Sequence, residues 1–199
     1  MSQAKRLKKK GRIMKYRNYG TRLSLVLFVS TALALILLAA TPGLRAEDKA
    51  REPSLPSPLC NSLQVPEGNE VAFHVYAIGF QIYQWNGTAW VFLAPAAELF
   101  ADAGFHGRVG IHYAGPTWET ISGSKVVGTR LAACTPDPNS IPWLKLSGAA
   151  SGHGVLHNVT FVQRINTVGG KAPSTLGTTV GQEAQVPYTA EYVFYRAAD

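Results

Sequence analysis

The chain holds two cysteines, Cys60 and Cys134, among 199 residues, and neither has a second ligand at the close spacing of a thiolate zinc site. No serine sits in a Gly-x-Ser-x-Gly frame, and the nearest approach to a phosphate loop, Gly169-Gly170-Lys171, continues into Ala172 where a hydroxyl is needed. A nucleophile-elbow hydrolase and a P-loop nucleotide enzyme therefore have no motif support. Acidic side chains are missing from the first 46 residues, whereas residues 1–22 carry nine Lys or Arg. The formal net charge of +7 thus belongs to the N-terminus, and residues 47–199, with nine basic and 12 acidic side chains, have a net charge of −3. A nucleic-acid partner loses its electrostatic basis, and none is expected.

What is present first is a basic segment ending at Arg22, then an uncharged apolar run over residues 23–40, then helix-breaking Thr41-Pro42-Gly43 and Leu44-Arg45-Ala46. This order predicts a signal peptide over 1–46, cut after Ala46. The competing expectation is an uncleaved N-terminal anchor, since 18 apolar residues reach the lower limit for a bilayer span. Both place the remainder in a secreted or periplasmic/extracellular setting, touching the membrane only through the leader if it is retained. There an even cysteine count points to a Cys60–Cys134 disulfide, with two unpartnered thiols as the alternative. Residues 47–61 are polar and Pro-rich and read as a linker, leaving 62–199 as one domain.

From Val71 onward apolar residues recur at every second position, with Gly or Pro punctuating the pattern. Val71, Phe73, Val75 and Ala77 share a face, and after Gly79 Phe80 and Ile82 share one, with Gln81 and Tyr83 on the other. Asn86-Gly87 predicts a two-residue type I′ hairpin between QIYQW and TAWVFL. PAAELFAD, from Pro95, predicts a two-turn helix. The sum is an all-β sandwich or barrel of about nine mostly antiparallel strands with one short helix.

Read in order, GFQIYQW, WVFLAPAAELFADAG, GIHYAGPTWE, GSKVVG, IPWLKL, VTFVQRINTVGGKAP and VPYTAEYVFY resemble a secreted domain-of-unknown-function family of bacteria and filamentous fungi, family three-four-five-five, over roughly residues 62–195. The resemblance implies an exported, strand-rich single domain and brings no established activity, cofactor or catalytic residue. It also implies cysteines directly after Gln-Ile-Tyr-x and shortly after Gly-Gly-x-Ala-Pro, where this chain has Trp85 and the Gly177-Thr178 region. Loss of both together is what a bonded pair would leave. A malate dehydrogenase label attached to some fungal relatives does not suit this chain: the nearest glycine-rich turn, 152–157, lacks a third glycine and leads into a strand.

The residues that suggest chemistry are His112 and Glu119, placed so that the Gly115-Pro116 turn would bring an imidazole towards a carboxylate. The plainer reading of the pair is a structural hydrogen bond. His74, His106, His153 and His157 are the other candidate metal ligands, though no spacing compels a site. Trp85, Trp90, Trp118 and Trp143 would make a flat platform for a cell-wall glycan or a protein if exposed, and core if buried. The expected function is an exported binding or envelope-associated module without enzymatic activity or cofactor. The alternative is a metal-assisted enzyme centred on His112 and Glu119.

Overall fold

The computed structural model describes residues 52–199. The expected leader, 1–46, and residues 47–51 of the expected linker lie outside the described residues. Eight strands follow one another: β1 (Asn69–Trp85), β2 (Trp90–Phe100), β3 (Arg108–Tyr113), β4 (Thr117–Thr120), β5 (Lys125–Cys134), β6 (Trp143–Ser151), β7 (Val159–Gly169) and β8 (Glu183–Ala197). Each pairs antiparallel with the next, and β8 returns to β1 from Asn69↔Ala197 to Gln84↔Glu183, closing a barrel. An eight-stranded ring has a lumen just wide enough to be packed with side chains or to keep one small cavity.

Two of the expected nine strands are one. VAFHVYAI and QIYQW join through Gly79 into the 17-residue β1. A β-carbon at Gly79 would collide with the Ala96 carbonyl and the Ala97 backbone, so β1 and β2 approach closely there. The expected helix at Pro95 is absent: PAAELF belongs to β2, with Pro95, Ala97 and Leu99 buried and Ala96 and Glu98 exposed. That alternation has a period of two, and pairing with β1 and β3 on either side outweighs the helix propensity of Ala, Glu and Leu. The hairpin after Trp85 is present with different chemistry. Its loop runs over residues 86–89, Asn86 Oδ1 accepts from the Thr88 and Ala89 amides at 2.9 and 2.8 Å, and positive φ falls on Gly87 alone of these residues.

The inward positions of β1 are Val75, Ala77, Gly79, Gln81 and Tyr83. They continue on β8 as Tyr188, Ala190, Tyr192 and Phe194. Apolar side chains fill one end of the lumen, where Val75, Leu99, Val126, Leu156, Val159 and Phe194 meet. A smaller second cluster lies outside the barrel wall, where Cys60 and Leu63 pack over Trp143, Ile165, Val193 and Tyr195. A disulfide joins Cys60 to Cys134 at the end of β5 and holds this strap in place. Gln163, buried beneath it, donates from Nε2 to the Leu63 carbonyl at 2.7 Å and accepts from the Tyr195 hydroxyl at 2.8 Å. The C-terminal part of the Pro-rich segment is therefore built into the wall: Cys60 and Leu63 are fully buried, and Leu55 packs against them.

Candidate functional site

The structure separates His112 from Glu119. Across the β3–β4 hairpin His112 stands opposite Trp118 and Glu119 opposite Ile111, so the imidazole enters the lumen and the carboxylate stays outside. Outside, Glu119 accepts from the Tyr113 hydroxyl at 2.7 Å and pairs with Lys125 at 3.1 Å. The Tyr113 hydrogen bond, and then the Lys125 ammonium, hold its pKa below the usual glutamate value.

The other histidines are dispersed. His74 donates to Glu191 at 2.9 Å on the outer wall, and His106 sits against Asp102 at 3.1 Å in the β2–β3 loop. His153 and His157 stack on each other in the β6–β7 turn. Among the described residues no three His, Cys, Asp or Glu side chains converge as an ion would require. The expected tryptophan platform does not form either. Trp118 is buried in the lumen, Trp143 under the strap, and Trp85 packs edge-on against Trp90 at 5.6 Å.

The open end of the barrel carries a different site. Inward side chains of all eight strands enclose a cavity of about 730 Å³, within the range that takes one small organic molecule. Its mouth lies between Phe92 and Leu93 of β2, the Gly115-Pro116 turn, Arg130 of β5 and Ile141-Pro142 before β6. The bottom is aromatic. His112 stacks on Trp118 with ring centroids 4.5 Å apart and planes within 8°, and Tyr192 meets both edge-on at 5.0 and 5.2 Å. Gly128 makes room for this layer, since a β-carbon there would stand 2.9 Å from both the Trp118 ring and Leu146.

Polar groups converge on that space. His112 Nδ1 lies 2.8 Å from the Thr117 carbonyl. A carbonyl only accepts, so Nδ1 carries the proton and Nε2 keeps its lone pair. Burial pushes the His112 pKa down to about 3, the Thr117 bond opposes this, and the Arg164 charge adds to the depression, so the ring is neutral at pH 7. Arg164, inward on β7, is held by its Nε and Nη2, which donate to the Pro142 carbonyl at 3.1 and 2.8 Å. Burial raises the Tyr83 and Tyr192 pKa values, with the Arg164 charge opposing in both cases.

Beside this space Trp118 Nε1 is buried without a hydrogen-bond partner among the described residues, and the buried Gln81 amide lies against the Tyr188 hydroxyl. Leaving such a donor unpaired costs about 1–3 kcal/mol relative to a satisfied one. Sequence reasoning had not singled out Gln81, Arg130 or Arg164. The available signal was a polar residue in phase with an inward apolar stripe, Gln81 after Val75, Ala77 and Gly79, and Arg164 after Val162.

A second depression of about 860 Å³ lies on the outer wall over Ile78, Phe80, Ala96, Ile111 and Val168. It is an apolar surface over the sheet, without the cluster of interior donors that distinguishes the lumen cavity, which makes the lumen the candidate site.

Comparison with known families gives one match: a profile described as "Protein of unknown function (DUF3455)" covers residues 66–196. No curated protein and no solved structure matches the chain.

Proposed function

The chain belongs to the DUF3455 family of proteins of unknown function, and we propose that it is an exported, non-enzymatic module that binds a small molecule in the lumen of its barrel. One observation carries the reading: a cavity of about 730 Å³ at one end of a closed barrel combines apolar walls with two guanidinium groups, Arg130 and Arg164, and no carboxylate. Catalysis needs a group that gains or loses a proton, or a nucleophile, within reach of the bound molecule. His112 in the lumen is kept neutral, and its expected partner Glu119 is on the other side of the wall. Tyr192 is pushed above its ordinary pKa by burial. The set is suited to holding a ligand rather than to moving protons.

Export is supported by the basic-then-apolar leader and by a disulfide, the linkage of an oxidising compartment. The lumen reading also replaces the glycan platform, because Trp85, Trp118 and Trp143 are buried.

The test has two arms. Cell fractionation of a host expressing the full chain should recover the product outside the cytosol with no titratable thiol; a cytosolic, reduced product would overturn export. Native mass spectrometry of that product, followed by thermal shift against a panel of small apolar and amphipathic compounds, should give one-to-one adducts that quench tryptophan emission. A panel without a single adduct or shift would overturn lumen binding.

A further inference from the structure

Resting on the lumen-binding reading, we infer that the ligand is an apolar monocarboxylate, its carboxylate held by Arg164 with Arg130 at the mouth. The charge of the cavity is of one sign. Arg130 and Arg164 line it, and no Asp or Glu does. Among the described residues neither arginine forms an ion pair with a carboxylate, whereas Arg108 and Arg196, outside the lumen, are paired with Glu98 and Glu70. Arg130 is exposed at the mouth and Arg164 is half-buried behind it, so both stay charged and present guanidinium hydrogens to an anion entering from solvent.

The geometry of Arg164 fits that role. Its Nε and Nη2 are committed to the Pro142 carbonyl, which fixes the plane of the guanidinium beside the Tyr192 hydroxyl. The rest of the wall, through Phe92, Leu93, Pro95, Leu144 and Leu146, is apolar and takes the body of the molecule. A cationic ligand would meet two positive charges, and a neutral alcohol would leave both unpaired.

Isothermal titration of the purified full-length product compares dodecanoate, dodecanol and dodecylamine, with 2-naphthoate as an aromatic acid. The expected result is that an acid binds at least tenfold more tightly than dodecanol, that dodecylamine fails to bind, and that the acid's affinity falls as salt rises. Arg164→Gln and, separately, Arg130→Gln should each weaken the acid at least tenfold while leaving dodecanol unchanged, and Arg108→Gln on the outer wall should change neither. Among the described residues the exposed Arg130 side chain makes no hydrogen bond or ion pair, so its variant remains informative if Arg164→Gln unfolds the protein. Dodecanol or the amine binding as tightly as the acid, or charge variants that affect acid and alcohol equally, overturns the carboxylate assignment and leaves lumen binding standing. Failure of all four compounds in a folded protein overturns both.

Discussion

Gly177, in the loop between β7 and β8, lies against the indole of Trp85: a β-carbon on Gly177 would stand 2.7 Å from Trp85 Cβ and closer still to Cγ. These are the two places where the family resemblance implies a pair of cysteines, and they touch. A large ring here needs a partner with no side chain, so Trp and Gly at these positions form one packing unit. Trp85→Cys combined with Gly177→Cys should therefore form a second disulfide when the protein is produced in an oxidising compartment. Peptide mapping without reductant would show it as a crosslinked pair; two free thiols in a folded double variant would count against the pairing. Gly177→Ala alone should destabilise the protein by about 1–3 kcal/mol in chemical denaturation, because the added methyl has no space.

The neutral imidazole of His112 makes stability depend on pH. Its folded pKa is about 3 against an ordinary value of 6.5, so between these limits the unfolded chain binds the extra proton. Stability from this group is complete above pH 6.5 and is lost as the pH falls towards 3, with a slope approaching about 1.4 kcal/mol per pH unit. Denaturant titrations at pH 7, 6 and 5 should show that slope in the native sequence and a shallower one in His112→Phe. Parallel slopes would mean that His112 takes up a proton in place.

Gly128 tests the layout of the lumen. Gly128→Ala sets a methyl group 2.9 Å from Trp118 and Leu146. Overpacking of this kind costs about 1–3 kcal/mol. The displaced indole should change the near-ultraviolet dichroism and weaken any ligand of the cavity, whereas a silent variant would show that the layer yields easily.

The strap tests the disulfide. Cys60 and Cys134 are 74 residues apart in sequence. In the chain-entropy account, opening a loop of that length costs about 4 kcal/mol. Cys60→Ala with Cys134→Ala should lower stability by up to that amount. Hydrogen exchange should rise first around Leu63 and at the Gln163 and Tyr195 side of the wall, which the strap covers. Exchange rising first in the lumen strands β3 and β4 would refute this division of labour.

Much of the fold could be read from alternation, because a half-buried strand has a period of two and the interior of a closed barrel preserves it. The sense of each face was harder. In β3 the apolar Val109, Ile111 and Tyr113 mark a stripe that reads as core, yet Ile111 is 37% exposed and His112 is 2% exposed. The stack on Trp118 and the Thr117 carbonyl make the lumen side hospitable to an imidazole, and neither is visible until β3 and β4 are folded back on each other. PAAELF failed for a related reason, since its helix propensity is local and its strand pairing is not. Closure was illegible altogether: the β1–β8 seam joins residues 99 to 128 positions apart, and no local pattern distinguishes a ring from two facing sheets. The arginines of the cavity look like ordinary surface charges for the same reason.

The β1–β8 seam brings Asn69 beside Ala197, and the Ala198 amide donates to the Gly68 carbonyl at 2.9 Å. Since each strand neighbours its successor and the last neighbours the first, the fold is a necklace whose clasp happens to sit between those two strands. Tying the clasp with a short peptide and cutting instead at the exposed Asn86–Ala89 hairpin would leave every seam in place, so the order of residues around the circle, more than the point where synthesis starts, specifies this architecture.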